Sequence, residues 1–98
     1  MGYKIIISPR AQKEIIDAID FYVLHSISTP QLFILELQKS YKSLSLNPFF
    51  RIRYKNIRSL KLNNYPYSLF FVVNETSKII KIISCFHNKR NPKRYPKK

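Results

Sequence analysis

At 98 residues the chain suits one domain, spanning 1–98 with a basic tail from about 88, whose core needs neither a metal nor a disulfide. Its single cysteine, Cys85, excludes an internal bridge, and its single glycine, Gly2, excludes a glycine-rich phosphate loop. The formal charge of +13 is lopsided, with thirteen basic residues against Glu75 alone in residues 49–98 and five against four in residues 1–48, so the second half favours a polyanion or an acidic protein as partner.

The opening MGYKIIIS lacks the apolar length of a secretory or membrane segment, and with one cysteine a cytoplasmic setting without membrane attachment is expected. Tyr3 to Ile7 is β-branched and predicts a strand. Ser8 and Pro9 then form a helix start, because the serine oxygen can accept an orphan N–H and proline suits the first helical position. Ala11, Ile15, Ala18, Ile19 and Tyr22 lie at helical spacing on a helix ending near His25. Thr29 and Pro30 repeat the start signal. Leu32, Leu35, Tyr41 and Leu44 predict the buried stripe of a second helix running to about Ser45 and stopped by Asn47 and Pro48. The short link makes the pair an antiparallel hairpin. Beyond it, Arg51 to Leu62 predicts one strand with an irregular beginning, Asn63 to Pro66 a turn, Ser68 to Asn74 a strand, Glu75 to Lys78 a hairpin loop and Ile79 to His87 the last strand. The fold class is therefore α+β, with the helical hairpin on one face of a mainly antiparallel sheet.

Alternation along extended chain places Arg51, Arg53 and Lys55 on one side, opposite Ile52 and Tyr54. The same rule sets His87 on the face of Ile79, Lys81, Ile83 and Cys85, at the strand's end. Such a rim holds the parts for metal-free RNA cleavage, in which a ribose 2′-OH attacks the adjacent phosphate. His87 would move the proton, and Arg58, Lys61 and Arg90 would stabilise charge on phosphorus. Arg51, Arg53, Lys55 and Lys89 would follow the backbone, while Tyr54 or Tyr95 would stack a base or assist proton transfer. Each has a structural alternative that the sequence leaves open: a hydrogen-bonded histidine, a solvated basic end, a packed Tyr54. Phe49 and Phe50 are expected to cap the core, and Cys85 to fill it. No cofactor is expected, and two histidines and one cysteine match no metal-ligand spacing.

The order strand, helical hairpin, strands, with "ISPRAQKEIIDAIDFY", "LSLNPF", "RYKNIRSLKLNNYPYSLFFVV" and "IISCFHNKRNP", resembles the RelE/ParE superfamily of bacterial toxins from type II toxin–antitoxin modules, over Tyr3 to about Tyr95. The resemblance implies growth inhibition, plasmid stabilisation and a cognate antitoxin that wraps the toxin, in a hetero-oligomer or alongside a homodimer. It implies one of two activities: endoribonuclease action on ribosome-bound mRNA, taken as the leading expectation, or non-enzymatic poisoning of DNA gyrase. Lys61, His87 and Arg90 match positions used in the superfamily. RelE-type nucleases, however, place arginine directly after the tyrosine opening the middle strand, where this chain has Ser68, and another just past the last strand, near Asn88.

Overall fold

The computed structural model describes residues 2–25, 30–50 and 52–88. Strand β1 (Lys4–Ile7) is followed by helices α1 (Pro9–His25) and α2 (Pro30–Leu46), then strands β2 (Ile52–Tyr54), β3 (Ile57–Lys61), β4 (Tyr67–Asn74) and β5 (Ile79–His87). The five strands form one sheet in the order β1-β5-β4-β3-β2, with β1 parallel to β5 and the other pairs antiparallel. Both helices pack on one face, as the sequence predicts.

The start of α1 follows from its residues. Ala11 N–H donates to Ser8 Oγ at 3.1 Å, and the Ser8 hydroxyl donates to the Ile83 carbonyl at 3.3 Å, so one serine caps the helix and ties it to β5. Ala11, Ala18 and Tyr22 are buried and Ile15 and Ile19 pack against them. The second helix turns differently from its predicted stripe: Phe33, Leu37, Ser40 and Leu44 face the core, Tyr41 packs at its margin, and Leu32 and Leu35 are exposed. The correct set keeps a spacing of three and four, but two such stripes coexist in this leucine-rich segment, and the larger Phe33 ring takes the core.

Gly2 has a packing role that the sequence did not disclose. Tyr3 N–H donates to the Ser45 carbonyl at 2.8 Å and the Ser45 hydroxyl returns a bond to the Tyr3 carbonyl at 2.8 Å, closing the chain's start onto the end of α2. A Cβ on Gly2 would collide with the Ser45 hydroxyl and carbonyl.

Where one strand is predicted between Arg51 and Leu62, the chain forms two. It reverses at Lys55 and Asn56, with Lys55 in the left-handed region at φ 52°, and Tyr54 pairs with Ile57. Pairing then jumps to Ile52 with Arg58, which leaves Arg53 as an extra residue in β2. Arg53 and Lys55 therefore do not share one side of a continuous strand, and Arg51 lies outside the described residues. Three strands were expected after the helices, and four are present.

A second bulge decides the placement of His87. Pairing between β4 and β5 passes from Phe70 with Ser84 to Phe71 with Ile82, so Ile83 is the extra residue. On its C-terminal side the alternation changes parity. Ile80, Ile82 and Cys85 all belong to the core beneath the helices, and His87 pairs with Tyr67, which belongs to the same core. The expected companions Ile79, Lys81 and Ile83 are thus on the other face, and Cys85 alone of the four stays with the histidine.

Candidate functional site

An open cleft of about 650 Å³ lies where the helix ends meet the end of β5. Helix α1 supplies Phe21 and Tyr22, the first turns of α2 supply Leu32, Leu35, Glu36 and Lys39, the turn before β4 supplies Asn64, Tyr65 and Pro66, and β5 supplies His87. Its floor is aromatic. Tyr22 lies 5.3 Å from Phe33, 5.4 Å from Tyr65 and 6.4 Å from Tyr67 between ring centroids, and the His87 ring stands edge-on to Tyr67 at 5.0 Å. Edge-to-face packing of this kind fixes ring orientation beyond simple burial.

The cleft's turn is held by specific bonds. Asn64 adopts φ 67°, a conformation that asparagine tolerates, and the Asn63 N–H donates to Glu36 Oε2 at 3.2 Å, joining α2 to the turn. Asn88 N–H donates to the Pro66 carbonyl at 2.8 Å. Burial, followed by the neighbouring Tyr67, Tyr65 and Cys85, pushes the Tyr22 phenol up to about 12. It therefore stays protonated at neutral pH and offers a hydroxyl rather than a base. Glu36, already accepting from the turn, and Lys39 are the carboxylate and ammonium among the lining residues. The arrangement suits binding of an apolar or aromatic group with a polar rim.

Among the described residues, the sequence-predicted site residues do not converge on His87. Arg58 points to the helix side of the sheet but donates from Nη1 to the Phe50 carbonyl at 2.8 Å, and its guanidinium lies 5.3 Å from the Phe49 ring centroid. Its Cα partner is Phe71, four residues along β4 from the partner of His87, which puts about 16 Å between the two backbones at ordinary strand spacings. Lys61 pairs with Ser68 and shares the opposite face of the sheet, away from His87. Tyr54 is exposed at 45%, with the Lys55 ammonium 5.4 Å from its ring centroid, so it is not packed in the core. Arg53 and Lys55 are exposed beside it at the far edge of the sheet. Lys89, Arg90 and Tyr95, like Arg51, lie outside the described residues.

Ser68 and Asn88, at and near the positions where the resemblance to RelE-type nucleases leads one to expect arginines, meet each other: the Ser68 hydroxyl donates to Asn88 Oδ1 at 2.7 Å. Of the cleft residues, Phe21, Glu36, Lys39 and Tyr65 were not picked out from the sequence, and Leu32 and Leu35 were read as core rather than as part of a site. The usable signal was Leu32 and Leu35, two apolar side chains left over once Phe33 and Leu37 are given to the core. Among the described residues no cluster of histidine, cysteine and carboxylates could hold a metal ion, and no helix is long and apolar enough to cross a membrane.

Comparison with known proteins adds the following. The model of the family described as ParE toxin of the type II toxin–antitoxin system parDE matches residues 5–92. A chain of the chromosomal ParDE toxin–antitoxin system from P. aeruginosa is similar in structure, with a TM-score of 0.72 at 19% identity, covering 88% of this chain and 96% of that one. A chain of the RelBE2 toxin–antitoxin complex from Mycobacterium tuberculosis superposes with a TM-score of 0.61 at 14% identity, covering 89% of this chain and 99% of that one. Sequence comparison with curated proteins finds no match.

Proposed function

From the premise that the chain belongs to the ParE toxin family of type II toxin–antitoxin systems, we propose that it arrests growth as a non-enzymatic inhibitor of DNA gyrase, held inactive by a cognate antitoxin. The observation that carries this reading is that, among the described residues, the groups a nuclease would need do not converge. Lys61 and His87 lie on opposite faces, Arg58 is bound to the Phe50 carbonyl, and Ser68 and Asn88 satisfy each other. Cleavage of RNA without a metal depends on cations and a proton carrier held within hydrogen-bond reach of one phosphate. The likeness to a ParDE chain supports the same choice.

The partner follows from charge. A second half at +12 favours an acidic antitoxin segment, and one that folds as it binds is suited to covering a broad basic surface. Ribosome-dependent mRNA cleavage is the second reading, favoured by a half-buried His87 in the cleft wall with Arg90 three residues farther along the chain.

Two assays on the same toxin separate the readings. Purified gyrase is expected to lose supercoiling in proportion to added toxin, while cells expressing it keep intact transcripts by mapping of RNA 5′ ends. The proposal is overturned if supercoiling is unchanged at arresting amounts and new 5′ ends appear that vanish with His87→Ala, a change expected to cost about 10² to 10⁴ in rate for a true proton carrier.

A further inference from the structure

The end of the sheet opposite the cleft, where β5 begins, carries rings and cations in alternation. Lys78 Nζ lies 5.0 Å from the Tyr3 ring centroid, the Tyr3 and Phe49 rings meet edge-to-face at 6.3 Å, and the Arg58 guanidinium lies 5.3 Å from the Phe49 centroid. The backbone brings the four together. Lys4 N–H donates to the Lys78 carbonyl at 2.9 Å, Tyr3 is bonded to Ser45 at the end of α2, and Arg58 donates to the Phe50 carbonyl. Phe49 is 50% exposed, in a strap shaped by its own bonds from Phe49 N–H to Asn47 Oδ1 and from Phe50 N–H to the Pro48 carbonyl. In the turn between β2 and β3, Lys55 repeats the pairing over the exposed Tyr54 ring at 5.4 Å. Both lysines adopt positive φ, 57° at Lys78 and 52° at Lys55, a region where glycine or asparagine would cost less. A cation is thus kept beside a ring at two places where the backbone favours another residue.

We propose that this end of the sheet binds single-stranded nucleic acid, with a base laid on the Phe49 ring and the flanking phosphates held by Arg58 and Lys78. An exposed ring offers its face to any base, and a cation fixed beside it meets the adjoining phosphate. In a duplex the bases are stacked inside and out of the ring's reach. Arg58 is held to the Phe50 carbonyl through Nη1, and the guanidinium fork has further donors for a phosphate. The charge here is of one sign. Lys4, Arg53, Lys55, Arg58 and Lys78 gather at this end, and among the described residues Glu75, exposed in the turn before Lys78, is the acid beside them. The helix acids lie elsewhere: Glu14 supports the middle of β5, Asp17 and Asp20 follow it along α1 towards the cleft, and Glu36 lines the cleft. An acidic protein would be drawn by the same charge, but it would use the cations and leave the Phe49 ring in water. His87 is at the other end of β5, so binding without cleavage is expected. The site shares no residue with the cleft and is independent of the gyrase reading.

The test is fluorescence anisotropy of a labelled oligodeoxythymidine strand with the full-length protein, beside an abasic strand and a duplex of the same length. The strand with bases is expected to bind more tightly than the abasic one. Phe49→Ala should weaken that binding roughly tenfold while its salt dependence and the binding of the duplex stay unchanged, because a stacking ring is lost and no charge. Lys78→Gly suits the local backbone better than lysine, so it should melt no lower than the wild type, yet reduce the salt slope by about 0.7. Wild-type affinity in Phe49→Ala, an equal loss on the duplex, or equal binding of the abasic strand would each overturn the proposal. So would polyglutamate that displaces the labelled strand as readily as unlabelled strand does at equal charge, since the surface would then be one for an acidic protein.

Discussion

Tyr22 is the residue on which the cleft is built. It is 4% exposed, touches rings from α2, the turn before β4 and β4 itself, and keeps its proton because the phenolate would be desolvated among other phenols and a thiol. Tyr41 is pushed to about 12 by burial and then by Cys85. The sign of the linkage follows. An unfolded tyrosine ionises near 10, so each raised group contributes stability that is fully present below about pH 10 and is lost as pH climbs towards about 12. Chemical denaturation at pH 9, 10 and 11 should show stability falling with pH, and Tyr22→Phe, with no proton to lose, should show a shallower fall. Equal slopes in the two proteins would remove Tyr22 from this account. The ring's burial was legible from its place on the α1 stripe, but its neighbours were not, since Phe33, Tyr65 and Tyr67 approach it from elements distant in sequence.

Among the elements, β5 carries the most consequence, because its bulge reverses which residues face the helices. The bulge has a dedicated partner. Glu14 Oε1 accepts from the Ser84 hydroxyl at 2.7 Å and from the Cys85 N–H at 3.1 Å, while Oε2 lies 3.5 Å from Nε of Arg10. Ser84 is fully buried, so its hydroxyl and the adjacent N–H have no cheap substitute in water. Glu14→Ala should therefore cost about 1–3 kcal/mol, which for a domain of this size lowers Tm by roughly 4–8 °C per kcal/mol. Glu14→Gln, which retains an acceptor oxygen, should recover most of the loss. If the alanine and glutamine variants melt together, the carboxylate does not support the bulge. The exposed Arg10 pair is expected to contribute little, as surface ion pairs generally do.

The whole molecule is a charge-segregated sandwich: four of its five acids, Glu14, Asp17, Asp20 and Glu36, are on the two helices, and the later strands and tail are basic. Self-repulsion within the basic half opposes compaction, and salt weakens it as the screening length falls from about 10 Å at 0.1 M to about 3 Å at 1 M. Calorimetry in rising sodium chloride should show Tm increasing by several degrees over that range. An unchanged or falling Tm would mean that repulsion is already compensated within the fold.

Local chemistry was readable directly from the sequence. The cap at Ser8, the α1 stripe, the turns at 63–66 and 75–78, the strand material after Pro48 and the sign of the surface charge each depend on neighbours a few residues apart. What tertiary structure alone decided were parity and pairing. Whether His87 faces the helices depends on one extra residue at Ile83, and that bulge is supported by a carboxylate 70 residues earlier in the chain. Whether Arg53 and Lys55 align depends on the reversal at Lys55 and the jump in register that follows. Alternation along a strand is known only once its bulges are, and bulges are set by the partner strand and by whatever satisfies their freed N–H groups, neither of which is local.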